Sequence, residues 1–225
     1  PAPTDPFSAD ALGHRAGYVL YRTTLPTEGL GLLHFAGGVG DRAQIFVDGA
    51  PVGVLERERH DETLAVQVPR PGAELHVLVE NMGRVNYGPR IGTPKGLLGP
   101  VTYDGTPLHG WDCHPLPMDA PPTLPSDQTP AAPSASAEPA FHHGTFEVRT
   151  PADTFLSLPG WTKGQAWING FNLGRYWNRG PQRTLYVPAP VLRPGTNDLI
   201  LLELQATTAT RAHLTDTPDL GPAAH

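Results

Sequence analysis

The sequence predicts an all-β protein of two β-sandwich or jelly-roll units joined by a Pro/Ala-rich linker, and three observations carry that prediction. Proline (27) and glycine (25) make up almost a quarter of the 225 residues without a collagen period, which is the composition of many turns joining short strands. Short runs rich in aromatic and β-branched residues, each bounded by Gly or Pro, recur along the chain. A hairpin motif occurs twice, as IFVDGAPVG over Ile45–Gly53 and AWINGFNLG over Ala166–Gly174.

Residues 1–16 read as a lead-in linker with no initiator Met, basic stretch or apolar leader, so the chain is expected to be a piece of something longer. Within them, Ser8–His14 gives the only hint of helix. A first unit is expected over 17–118, opening with the strands Tyr18–Leu25 and Leu30–Phe35. Asp48-Gly49 then closes the first hairpin, because Asp-Gly and Asn-Gly accept the positive φ at both central positions that a type I′ turn requires. The charged stretch Glu56, Arg57, Glu58, Arg59, His60, Asp61 and Glu62 follows, and its alternating signs read as a solvated, self-neutralising loop. Leu75, Val77 and Val79 alternate with His76 and Glu80, the pattern of a strand with one buried face.

Residues 119–140 form the linker by composition, rich in Pro, Ala, Ser and Thr and without apolar periodicity. The second unit is expected over 141–206. Its hairpin is followed by Leu185–Pro188, Pro194-Gly195 and the strand Leu199–Leu204, in the order in which Leu64–Pro69, Pro71-Gly72 and Leu75–Glu80 follow the first. LILLEL is apolar on both faces and belongs in the middle of a sheet. The unit is short for a complete jelly roll, with a strand expected from the linker, from the first unit or from a missing part, while residues 207–225 read as a fraying tail. Two copies more than a hundred residues apart mean two related units, not a solenoid, whose period runs ~20–50 residues.

A formal charge of −6 and the lack of any Lys/Arg run leave no field for a phosphate backbone, so nucleic acid is excluded as a partner. The longest apolar runs are strand-length, short of the ~20 residues a membrane helix needs. Cys113 is the only cysteine, so neither an internal disulfide nor a thiolate zinc cluster can form. Neighbouring strand residues point to opposite faces, so His142-His143 cannot easily share one ion. No metal or other cofactor is called for.

The run GWTKGQAWINGFNLGRYW over Gly160–Trp177, continuing through Gly180-Pro181-Gln182 to Leu185–Pro188, closely resembles the C-terminal domain of family-35 glycoside hydrolases, the lysosomal-type β-galactosidases. VENMGRVNYG over Val79–Gly88 and GYVLYRTTLP over Gly17–Pro26 resemble the preceding β-domain of the same enzymes, in the same order. The resemblance implies two galactose-binding-like sandwich domains. It also implies the release of terminal β-linked galactose with retention, which uses two carboxylates ~5–5.5 Å apart. In the family both sit on a (β/α)8 barrel, which needs ~250 residues and a βα alternation. This chain has neither, so no catalytic residue is carried onto it, and on its own it is expected to be inactive.

The function implied is therefore an accessory part that braces the barrel and lines one wall of its pocket, with β-galactoside glycans as partners reached through the barrel. The alternative is a free-standing lectin-like sandwich protein. Oligomeric state and compartment are left open, family members being lysosomal, secreted or cytoplasmic. By resemblance, Tyr87 meets the galactose pocket, flanked by Asn86 and by Arg84, an arginine expected to be buried between domains. Trp161, Tyr176 and Trp177 are the candidate sugar-stacking aromatics. Against them stands the reading that four aromatics, with Trp167, in so short a stretch are core or interface anchors. Trp167 and Asn169 should share one face of their strand and Ile168 the other.

Overall fold

The computed structural model describes residues 5–123 and 139–222, in two compact units, Pro1–Met118 and Asp119–His225. The expected linker 119–140 lies, apart from its ends, outside the described residues. In unit 1 the strands are β1 (Gly17–Leu25), β2 (Gly29–Phe35), β3 (Val39–Gly40), β4 (Arg42–Val47), β5 (Ala50–Glu56), β6 (Thr63–Val68), β7 (Ala73–Asn81), β8 (Gly96–Leu97), β9 (Val101–Tyr103), β10 (Thr106–Pro107) and β11 (Asp112–Leu116). Unit 2 holds β12 (Ala140–Val148), β13 (Thr154–Ser157), β14 (Lys163–Ile168), β15 (Phe171–Trp177), β16 (Thr184–Val187), β17 (Gly195–Glu203) and β18 (His213–Thr215).

In unit 1 a five-stranded sheet of order β11-β1-β7-β4-β5 and a four-stranded sheet of order β10-β9-β2-β6 share one core, with β3-β8 as a short ladder beside them. Period-2 patterning decides what enters that core: Val19 and Tyr21 from β1 and Leu75, Val77 and Val79 from β7 are all buried. The helix hinted at over 8–14 is absent. Leu12 N–H reaches Ser8 O and His14 N–H reaches Ala9 O, but Gly13 at φ 69° breaks the run, so the segment is a series of turns.

The sequence repeat is a repeat of geometry. β4 lies between β7 and β5 as β14 lies between β17 and β15, and both hairpins shift register at matching points, Ile45/Phe46 and Ala166/Trp167. Asp48 (φ 46°) and Gly49 (φ 82°) turn the first, and Asn169 (φ 50°) and Gly170 (φ 83°) the second. Both turn side chains make the same bond. Asp48 Oδ1 accepts the Glu74 N–H at 2.8 Å, and Asn169 Oδ1 accepts the Asp198 N–H at 3.0 Å. A third turn of this kind, Asp104-Gly105, joins β9 to β10, and Asp104 Oδ1 accepts the Leu32 N–H.

Unit 2 sets the sheet β12-β17-β14-β15 against the smaller sheet β16-β13-β18. β17 is central, with Leu201 in the sandwich core and Leu202, on the opposite face, buried as well. Ile168 also faces the core, whereas Trp167 points the other way towards Phe141, their ring centroids 6.3 Å apart. The strand this unit lacked comes from 207–225, the stretch expected to fray. β18 pairs with β13, and farther on Asp219 O accepts the Arg183 N–H at 2.9 Å. A Thr/Ala-rich stretch has no apolar period of its own, so backbone pairing with distant residues is what orders it.

Candidate functional site

In unit 1 the candidate site is the loop between β7 and β8 that carries Arg84, Asn86 and Tyr87. One carboxylate holds both of its ends. Asp41 Oδ2 accepts the Met82 N–H at 2.8 Å where the loop leaves β7. The Lys95 ammonium, where the loop returns, lies 2.6 and 2.7 Å from the two Asp41 oxygens, and the Arg57 guanidinium is 2.9 Å from the same group. The Lys95 side chain is only 3 % exposed and that of Asp41 14 %. A second carboxylate, Asp10, accepts the Lys95 N–H at 2.7 Å and pairs with Arg84 at 2.5 Å.

Partial burial works to raise the Asp10 pKa, but the Lys95 N–H and the Arg84 guanidinium outweigh it and hold the carboxyl below its ordinary value. Its contribution is therefore full above the ordinary carboxylate pKa and is lost as the pH falls through the lower folded value. Arg84 is thus exposed in this chain and paired with Asp10 within unit 1. From this fixed base Tyr87 projects with 89 % of its surface exposed, beside the exposed Asn86, with Met82 and Ile91 also exposed on the same loop.

The charged stretch 56–62 is only partly the solvated loop its alternating signs suggest. Glu56 is buried at the end of β5 and pairs with Arg42 at 3.5 Å and Arg59 at 3.3 Å, while Arg57 turns in to Asp41. Asp41 lies just ahead of β4 and Arg42 opens it, across the hairpin from Glu56, so sign alternation within 56–62 could not reveal these two partners.

In unit 2 the candidate aromatics converge. Trp161 is buried, donates its indole N–H to Arg211 O at 2.8 Å and meets the His142 ring edge-on at 4.9 Å. Burial lowers the His142 pKa, outweighing the Glu203 carboxylate that works to raise it, so the ring stays neutral near pH 7. Tyr176 is buried and donates its hydroxyl to Leu202 O at 2.9 Å. Trp177 is half-buried, with Lys163 Nζ 3.9 Å and the Arg179 guanidinium carbon 4.6 Å from its ring centroid. All three line a cavity of about 410 Å³.

Sequence reasoning passed over Glu203. This buried carboxylate accepts the N–H groups of Thr162, Lys163 and Gln205 and pins the start of β14 to the end of β17. Its one signal was an acid in an otherwise apolar run. His142 lines a second cavity of about 560 Å³ between β12 and residues 209–214, while His143 reaches Asp198 at 3.1 Å on the other face. Burial pushes the Cys113 thiol pKa up, away from thiolate chemistry. Among the described residues no cluster of three or more His, Cys, Asp or Glu could hold a metal ion, and no helix is long and apolar enough to cross a membrane.

The family model described as β-galactosidase, first all-beta domain, matches residues 6–117, and that described as β-galactosidase, galactose-binding domain, matches 139–197. A β-galactosidase of Xanthomonas manihotis is 43 % identical over 183 residues, covering 81 % of this chain and 30 % of the relative. The β-galactosidase of Homo sapiens is 43 % identical over 214 residues, covering 84 % of this chain and 31 % of the relative. The chain thus spans about a third of the length of the curated relatives it matches. Among solved structures, a lectin from Pleurotus ostreatus in complex with GalNAc aligns over 90 % of this chain and 77 % of its own, at 13 % identity and a TM-score of 0.33, too low to support an argument.

Proposed function

Because this chain belongs to the β-galactosidase family, matching that family's first all-β and galactose-binding domains, we propose that it is the accessory C-terminal part of a retaining exo-β-galactosidase. In this role it braces the catalytic barrel and supplies one wall of the galactose pocket. The supporting observation is Tyr87, an aromatic side chain 89 % exposed on a loop whose two ends are bound to one carboxylate. Holding a large ring in water on a rigid base yields little unless a partner covers it. Met82 and Ile91, exposed on the same loop, add apolar surface whose burial against a barrel is worth about 25 cal/mol per Å².

The acid/base and the nucleophile reside on the barrel, so the residues of this chain act by position. The Tyr87 ring packs against the C–H face of the bound galactose or its hydroxyl donates to a sugar oxygen, while Asp41, Lys95 and Asp10 fix the height of the loop. The chain alone turns over no chromogenic β-galactoside. In the protein that joins it to a barrel, Tyr87→Ala raises KM about tenfold, the equivalent of ~1.4 kcal/mol, with a smaller change in kcat. Tyr87→Phe separates stacking, which survives it, from hydrogen bonding, which does not. Unchanged kcat/KM in Tyr87→Ala would remove the pocket-wall role.

A further inference from the structure

We infer that unit 2 contains a binding site for a medium-chain alkyl carboxylate, in the open seam between β12 and residues 209–214. This goes beyond the accessory role, and the site lies wholly within unit 2. The cavity there encloses about 560 Å³, within the range of small-ligand sites.

The seam is open because unit 2 lacks two side chains that close the same place in unit 1. β12 lies beside β17 as β1 lies beside β7, and the repeated hairpin fixes the correspondence. Ile45 pairs with Val77 and Ala166 with Leu201, so Tyr21, opposite Val77, matches His142, opposite Leu201. By the same register Thr23 matches Gly144. In unit 1 both positions are filled. Tyr21 is fully buried with its ring edge-on to Trp111 at 6.5 Å, and buried Thr23 donates its hydroxyl to His109 O at 2.7 Å. In unit 2 the smaller His142 meets Trp161 in the same edge-on way, and the next position on that face of β12 is a glycine. A Cβ added at Gly144 would meet nothing within 4 Å. Glycine inside a strand weakens it and often marks a place where a ligand approaches closely.

The interior of the cavity is apolar. Phe146, Leu156, Leu199 and Leu201 line it and belong to the sandwich core or pack against it, so an alkyl chain entering there takes both surfaces out of water. The Trp161 indole N–H is committed to Arg211 O, and burial keeps the His142 ring neutral, so neither sets a charge against that chain. The mouth is basic. Arg211 and His213 line it and are exposed, and none of the described lining residues is an Asp or Glu. The Glu203 carboxylate, whose field reaches His142, is engaged by the N–H groups of Thr162, Lys163 and Gln205. An apolar interior with a guanidinium at its mouth fits a ligand with an alkyl tail and a planar anionic head. The smaller cavity suits this ligand less, because Asp219 lines it and would repel an anion.

The test is calorimetry on the whole chain with decanoate, octanoate and decyltrimethylammonium as probes, the Trp161 indole N–H resonance reporting where they sit. Decanoate is expected to bind with Kd on the order of 0.1 mM and to shift that resonance. Octanoate should bind about fifteenfold more weakly, since each buried CH2 contributes about fourfold, or ~0.8 kcal/mol. Decyltrimethylammonium, the same tail with a cationic head, should bind at least about tenfold more weakly than decanoate. Gly144→Phe should abolish binding by filling the seam. Its unfolding midpoint should not fall, because the added side chain starts in open space. Arg211→Ala should weaken decanoate about fivefold and leave decyltrimethylammonium unchanged. Vesicles of phosphatidylglycerol should not sediment the chain. The site is overturned if decanoate fails to bind at about 2 mM, roughly twenty times the expected Kd. Retained affinity in Gly144→Phe, or equal affinity for the cation, would equally overturn it. So would vesicle binding that Gly144→Phe removes, which would assign the seam to a bilayer lipid.

Discussion

Asp41→Ala is expected to cost unit 1 about 3–5 kcal/mol, the scale measured when one partner of a buried ion pair is removed. Asp41 receives the Lys95 ammonium at 2.6 and 2.7 Å, the Arg57 guanidinium at 2.9 Å and the Met82 N–H at 2.8 Å. Lys95, with a side chain 3 % exposed, would lose its counter-ion, and the uncompensated burial of its amine accounts for most of the cost. Thermal unfolding of the chain should show the unit 1 transition lowered by roughly 10–20 °C. Asp41→Asn keeps an acceptor for Met82 but removes the charge. It should destabilise by less and, in the barrel-bearing protein, raise KM in the direction of Tyr87→Ala, because the loop would lose one tether while Tyr87 remained. A midpoint within about 2 °C of the parent in Asp41→Ala would show that the carboxylate does not hold the loop.

Gly164→Ala should do more: unit 2 is expected not to fold. Gly164 lies in β14 between β17 and β15, opposite Glu203 on one side and Tyr176 on the other. A Cβ at this position would overlap the Leu202 carbonyl oxygen and come within 2.7 Å of the Tyr176 hydroxyl. Neither can withdraw easily, because the oxygen is backbone and the hydroxyl donates to that same oxygen. The matching position in unit 1 is Ala43, whose partner across the hairpin is Leu55. An alanine fits there because no hydroxyl has to reach over it. Forcing β14 and β17 apart should exceed about 4 kcal/mol, the exceptional end of single substitutions. Trp161, Trp167 and Trp177 all lie in unit 2, so loss of their buried emission with the unit 1 transition retained would report the effect. A folded unit 2 with native emission would disprove the steric account.

Tyr87 and the aromatics of unit 2 were visible in the sequence, but their fates were not. Trp161 and Tyr176 line a cavity with their polar atoms already bonded, and Trp177 is held by two cations. Lys163 and Trp177 are fourteen positions apart and meet only because the β14–β15 hairpin pairs them. Asn178, Gln182 and Arg183, which line the same cavity, carried no signal, since a polar turn looks the same whether or not it edges a cavity. Arg84 pairs with Asp10, a partner more than seventy residues away that no neighbouring residue announces.

What the sequence determined by itself is local. Alternation set which face of β1 and β7 is buried, and Asp-Gly and Asn-Gly set two turns, because backbone preference and period-2 geometry act between neighbours. The tertiary structure alone decided which charges are buried and which residues complete each sheet. Glu56 is buried because Arg42 lies across the hairpin, and residues 213–215 are a strand because β13 has an edge to offer them. Both outcomes depend on contacts between residues far apart in the chain, whose energies no window of neighbouring residues contains.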